Sequence, residues 1–177
     1  VPTEESSNGR HILINFKRLF EKLSPWKDRA AECRMIVRND ATAKALLEMA
    51  AFPRKERPST LSYLLFSEGV NGGFISSFRE IRSINNPEIG HIIPMMNAID
   101  ISGFRTEHSG CPNHLFCYEG LASGTRIKKS WPDVLLDGAG LRIEPESDAE
   151  MIISSYIGQL CMTVTLLFAP EVIVVGG

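Results

Sequence analysis

An α/β domain is what this sequence predicts, on three observations. Strand-like and helix-like segments alternate along the chain. The segment "PEVIVVGG" (170–177) is a continuous apolar run of the kind found in buried parallel strands. Residues 148–168 have the length and composition of a core helix.

Taken in order, "VPTEESSN" (1–8) is polar and reads as a loop. Residues 12–23 place Ile12, Phe16, Leu19, Phe20 and Leu23 on one helical stripe. "CRMIVRND" (33–40) reads as a strand with a polar end, followed by a helix over "ATAKALLEMAAF" with Asp40 as its N-cap. Pro53 and Pro58 bracket a basic loop. "TLSYLLFSEGVNGGFISS" (60–77) reads as strand, glycine turn and strand, a β-hairpin. The region 85–118 is loop-rich, and "EGLASGTRIKKSW" (119–131) begins a helix. The helix over 148–168 is apolar nearly all round, which predicts that it is buried, and the last strand is expected over 171–175.

The 177 residues suffice for one ordinary domain, and 44% hydrophobic with 23% charged residues is the composition of a globular protein. A net charge of -2 leaves no basic surplus to displace counterions, which argues against a nucleic-acid partner. Ser154, Ser155, Gln159 and Pro170 interrupt the most apolar stretch, so a buried helix and strand explain it better than a membrane span. Four cysteines, Cys33, Cys111, Cys117 and Cys161, are too few for a disulfide framework. With no signal-peptide pattern, the expected compartment is a reducing cytoplasm.

The densest chemistry lies in "HSGCPNHLFCYEGLASG" (108–124). Cys111, His114 and Cys117 stand three apart and offer three ligands to a tetrahedral zinc; the fourth must come from elsewhere, with His91 and His108 as candidates. The plainer alternative is a chance cluster in a histidine-rich loop. Asp40, at the carboxyl end of a strand, could serve as a general base or simply as a helix cap. "GVNGG" (69–73) offers backbone N–H groups to a phosphate, a weak signal because glycine loops are common in hairpins. Glu88 and His91 in "NPEIGH" are three apart and could face one ligand, or could be a solvated pair.

In their order these segments resemble the ROK family of sugar kinases and repressors, nearest to its bacterial fructokinase branch. "VRNDATAKALLEMA" is similar to the family's Asn-Asp segment, "EGVNGGFI" to its glycine-rich phosphate loop, and "NPEIGH" to its Glu-x-x-His sugar-contact motif. "CPNHLFCYEGLASG" is close to the fructokinase zinc segment, and "PEVIVVGG" looks like the start of the strand-turn near the adenosine. The resemblance covers roughly Phe16 to Gly177 and implies the actin-like, ribonuclease-H-like ATPase fold, mainly its larger C-terminal lobe (41–177), with residues 1–40 belonging to the small lobe. The sugar then sits in the cleft between lobes, with ATP and Mg2+ as co-substrate. Asp40 is implied as catalytic base, and Asn39, Glu88, His91 and Glu119 as sugar contacts. Gly69, Gly72, Gly73 and Gly176 are implied as nucleotide contacts, and His91, Cys111, His114 and Cys117 as ligands of a structural zinc.

The same comparison implies a hexose and ATP as partners and no membrane; family members are often dimers, so a homodimer belongs among the expectations. Departures from the family pattern set further expectations. Only 38 residues precede Asn39 and no Asp-x-Gly-Gly-Thr segment is among them, so much of the small lobe is expected to be missing and the chain to end inside the last glycine turn. Glu68 stands where the family has threonine, and a carboxylate aimed at a phosphate repels it. The alternatives are a non-catalytic sugar-sensing protein of the repressor type and a zinc-stabilised interaction module.

Overall fold

The computed structural model describes residues 38–77, 79–81, 87–132, 136–137, 140–141 and 143–177. The helix expected over 12–23 and most of the strand expected over 33–40 lie outside the described residues. The chain divides into two compact units, Val1–Asn39 and Asp40–Gly177. The second is a mixed α/β unit around a four-stranded sheet.

Helix α1 (Asp40–Ala51) leads into β1 (Thr60–Phe66), β2 (Val70–Ser76) and the two-residue β3 (Arg79–Glu80). A 3₁₀ turn at Ile89–His91, α2 (Ala98–Gly103), a second 3₁₀ turn at Thr106–His108, α3 (Tyr118–Ala122) and α4 (Gly124–Ser130) follow. A small hairpin of β4 (Leu136–Asp137) and β5 (Gly140–Leu141), the long α5 (Asp148–Phe168) and β6 (Val172–Gly176) complete the unit. The sheet order is β3-β2-β1-β6; β1 runs antiparallel to β2 and parallel to β6.

Alternation along β1 feeds two separate cores. Leu61, Tyr63 and Leu65 pack with Ile75 under Ala41, Ala45 and Met49 of α1. Leu64 and Phe74, on the other face, pack with Ile153, Tyr156, Leu160 and Val164 of α5 and with Tyr118 and Leu121 of α3. Each fully buried aliphatic or aromatic side chain contributes ~1.5–3 kcal/mol. The small buried side chains of α1 allow close approach to the sheet. At Gly73 a Cβ would stand only 2.3 Å from the Ala41 carbonyl oxygen, so no other residue fits beneath the first turn of α1.

Three expectations are corrected. Asp40 is the first helical residue rather than the cap before it, and its carboxylate accepts from the Ala41 N–H at 2.8 Å, where a negative charge suits the helix dipole. The helix over 148–168 is not buried all round: Ile152, Ile153, Tyr156, Leu160 and Val164 form one buried stripe at steps of three to four, whereas Leu166 and Leu167 are 77% and 64% exposed. By length and composition α5 is apolar enough to cross a membrane, but its buried stripe packs on the sheet as a core helix does. The last strand, expected to be buried, is a half-buried strand paired with β1 alone among the described residues.

Ser147 starts α5 by accepting from the Glu150 N–H at 3.2 Å. The helix ends on Ala169 with φ 42°, a left-handed position that glycine fills without cost. Ala169→Gly is expected to raise stability by about 1 kcal/mol, the steric relief outweighing the added freedom of the unfolded chain. A urea midpoint that fails to rise would show the strain to be absorbed elsewhere.

Candidate functional site

The site is assembled where the β1–β2 turn meets the loop 87–123. The turn comprises Ser67, Glu68 and Gly69, closed by the Ser67 N–H donating to the Gly69 carbonyl at 2.8 Å. Beside it, Glu88 precedes the 3₁₀ turn Ile89–His91. That turn lies directly on β2: a Cβ at Gly90 would stand 2.0 Å from the Val70 carbonyl oxygen. The Tyr118 N–H donates to the Ile92 carbonyl at 3.0 Å and fastens the start of α3 to the same segment.

His91 thereby joins Cys111, His114 and Cys117, whose ligand atoms lie within 4.8 Å of one another. The His91 and His114 Nδ1 atoms are 3.4 Å apart. His91 Nδ1 is 3.7 Å from Cys111 Sγ and 3.8 Å from Cys117 Sγ, and Cys111 Sγ is 3.9 Å from His114 Nδ1. A tetrahedral zinc with Zn–N about 2.1 Å and Zn–S about 2.3 Å requires donor separations of about 3.4 Å (N to N) and about 3.6 Å (N to S). The donor set therefore fits zinc in chemistry, and these four separations lie close to the spacing it requires. His108 is not a member of the group.

Backbone N–H groups are aimed at both sulfurs. The His114 N–H donates to Cys111 Sγ and the Gly120 N–H to Cys117 Sγ, both at 3.3 Å, and the second bond caps α3. Burial pushes the Cys117 thiol up to about 11, so without a cation beside it the sulfur keeps its proton. The described cysteines form no disulfide.

Glu119, two residues beyond Cys117, reaches the turn: its Oε2 accepts from the Val70 N–H at 3.2 Å and lies 2.6 Å from where a Gly69 Cβ would be. Gly69 is part of the turn. Gly72 and Gly73 lie inside β2 as packing positions, against Ile89 and Ala41. Gly176 is in β6 beside the Tyr63 hydroxyl. Asn39 is the last residue of the first unit, and Asp40 opens α1 with an exposed side chain.

Glu68 does not stand as a free carboxylate. It pairs with Lys128 and accepts from the Thr125 hydroxyl at 3.1 Å, and these two partners hold its carboxyl below the usual range. Sequence reasoning missed Thr125 and Lys128. Their i, i+3 spacing puts them on one helix face, but only the fold reveals what that face meets.

Behind the site a buried ion pair ties three helices together. Arg126 on α4 donates to Asp100 on α2 at 2.8 Å, and the Tyr156 hydroxyl of α5 donates to the other Asp100 oxygen at 2.8 Å. The guanidinium carbon lies over the rings of Phe104 and Trp131, 5.0 and 4.9 Å from their centroids.

A family model described as the ROK family matches residues 27–177. The chain is 32% identical over 155 residues to a fructokinase of Zymomonas mobilis, covering 88% of the chain and 48% of that relative. It is 32% identical over 123 residues to a fructokinase of Pediococcus pentosaceus, covering 70% and 39%. It thus spans about half or less of the length of the curated relatives it matches. Among solved structures, a ROK hexokinase from Thermus thermophilus superposes with a TM-score of 0.59 at 23% identity, over 85% of this chain and 51% of that one. A ROK glucokinase from Streptomyces griseus, in complex with glucose and AMPPNP, gives 0.57 at 22% identity, over 86% and 56%.

Proposed function

The chain belongs to the ROK family, and from that premise we propose that it serves an ATP-dependent sugar kinase that transfers the γ-phosphate of ATP to a hexose hydroxyl. The observation that carries this reading is Glu119. Its carboxylate accepts from the Val70 N–H at the end of the glycine turn, where a phosphate would bind, and it stands two residues beyond Cys117 of the His/Cys group. The names of the curated relatives favour fructose as the hexose.

In this reading Asp40 takes the proton of the attacking hydroxyl. Phosphoryl transfer asks the protein mainly to position reactants and stabilise charge, and a positioned base contributes ~10² to 10⁴ in rate. Asn39, Glu88, His91 and Glu119 hydrogen-bond the sugar. The turn Ser67–Gly69 offers the Glu68 and Gly69 backbone N–H groups to the phosphates, and Gly72 and Gly73 support it from β2. His91, Cys111, His114 and Cys117 would hold zinc. Four protein donors leave it no open position, so the metal supplies structure and no reaction chemistry. Residues 41–177 form the core of the larger lobe and residues 1–40 part of the smaller one. The reaction belongs in the cytoplasm, where thiols stay reduced and ATP is at hand.

The test is ADP release by the purified chain with ATP and fructose, glucose or N-acetylmannosamine, beside calorimetric titration of each sugar. Sugar-dependent release that falls at least ~10²-fold in Asp40→Asn, with sugar binding kept, is the expected result. Sugar binding without ADP release would move the chain to the sugar-sensing members of the family. Binding of no sugar at all would leave only a zinc-stabilised module.

A further inference from the structure

We propose that the α3–α4 corner is a clasp that aims the backbone of the glycine turn, with Thr125 as its positioning residue, and that it couples the turn to the metal loop. The proposal rests on the reading of the turn as a phosphate site.

Among the described residues, every hydrogen bond or ion pair that reaches the turn from outside the hairpin comes from residues 119–128. The Gly124 N–H donates to the Ser67 carbonyl at 2.6 Å, and the Thr125 hydroxyl donates to the Glu68 carbonyl at 2.9 Å. Glu119 accepts from the Val70 N–H on the far side of the turn. Lys128 and Thr125 hold the Glu68 side chain. In a trans peptide the carbonyl and the following N–H point in opposite directions. Binding the Ser67 and Glu68 carbonyls to α4 therefore turns the Glu68 and Gly69 N–H groups away from α4. Neither is bound to a described residue, so both are free to meet an anion.

The same clasp settles the carboxylate at position 68. A glutamate beside a phosphate is repulsive, but here Lys128 neutralises it and Thr125 holds it on the α4 side. The clasp begins at a metal ligand: Cys117 caps α3, Glu119 lies in its first turn, and the buried Ser123 caps α4 by accepting from the Arg126 N–H. No flexible linker separates Cys117 from Thr125. Order in the metal loop is thereby transmitted to the turn, and by linkage the turn acts back on the metal.

The experiment compares the full chain with Thr125→Val and Thr125→Ser, by amide hydrogen exchange and by competition for zinc against a chelator, with an ATP titration alongside. Thr125→Val is expected to speed exchange at the Val70 and Gly124 amides about fivefold and to weaken zinc by a similar factor, while Thr125→Ser behaves as the unmodified chain. Unchanged exchange at both amides in a folded Thr125→Val chain, or unchanged zinc affinity, overturns the proposal. Should the valine variant not fold, the exposed Glu68→Ala decides in its place: faster exchange at Val70 and Gly124 supports the clasp and unchanged exchange refutes it. Absence of ATP binding in the unmodified chain would count against the kinase reading alone, because the exchange arm reads the clasp without nucleotide.

Discussion

A Cys117→Ser chain is expected to carry almost no zinc where the unmodified chain carries about one equivalent, and to lose the order of residues 108–123 with it. Two thiols and two imidazoles within 4.8 Å of one another form a closed donor set, and serine replaces a soft thiolate with a poor ligand. Structural zinc sites in small domains are worth ~10–16 kcal/mol of binding free energy, so even a fraction of that spent on ordering the loop exceeds any single packing contact here. Elemental analysis of both chains, with His91→Ala beside them, checks it. Zinc retained in Cys117→Ser would sink the site as described; zinc retained only in His91→Ala would return the fourth position to His108.

The second large effect is expected at Arg126. Arg126→Met should cost about 3–5 kcal/mol in urea denaturation, because it leaves the buried Asp100 without its counter-charge. Both side chains are 2% exposed. Burial pulls the guanidinium down from its ordinary value while Asp100 pushes back, so the charge survives on that pairing. Two of its nitrogens, Nε and Nη1, find no hydrogen-bond partner among the described residues, and the ring faces of Phe104 and Trp131 offset part of that cost. The double variant Asp100→Leu/Arg126→Met should recover most of the loss, since removing both charges also removes their desolvation penalty. A single-variant loss below about 1 kcal/mol would show that the pair is hydrated in solution.

The hairpin and the long helix were legible because each is announced locally, by glycines between apolar runs and by helical periodicity. The Cys/His group was legible for the same reason within 111–117; His91, 20 residues upstream of Cys111, was one of two candidates by spacing and was singled out only by the family resemblance. The Arg126–Asp100–Tyr156 tie was not legible. Arg126 stands in "TRIKKS", which reads as a solvated face, and Asp100 in a short helix within a region read as loop. Neither carries a local mark of burial, since the partner of each is far away in sequence. The exposure of one face of α5 was missed for a related reason: apolar content sets how much of a helix could be buried, and only the fold decides how much is. The small β4–β5 hairpin had too few residues to show a period.

The glycines of β2 bear on the fidelity of folding as well as on the site. Both faces of β1 are apolar, so a one-residue slip of the hairpin would exchange Leu61, Tyr63 and Leu65 for Ser62, Leu64 and Phe66 with little hydrophobic penalty. Pattern alone then discriminates poorly between the correct pairing and its neighbours. Shape does discriminate. Only the register that puts Gly73 opposite Tyr63 leaves room for the Ala41 carbonyl, and only that register leaves Gly72 bare beneath Ile89. Any slip would put a side chain into one of these gaps and lift α1 or the 3₁₀ turn off the sheet. The residues that let the site close are thus the ones that proofread the strand pairing, and enlarging either would first appear as misfolded chain.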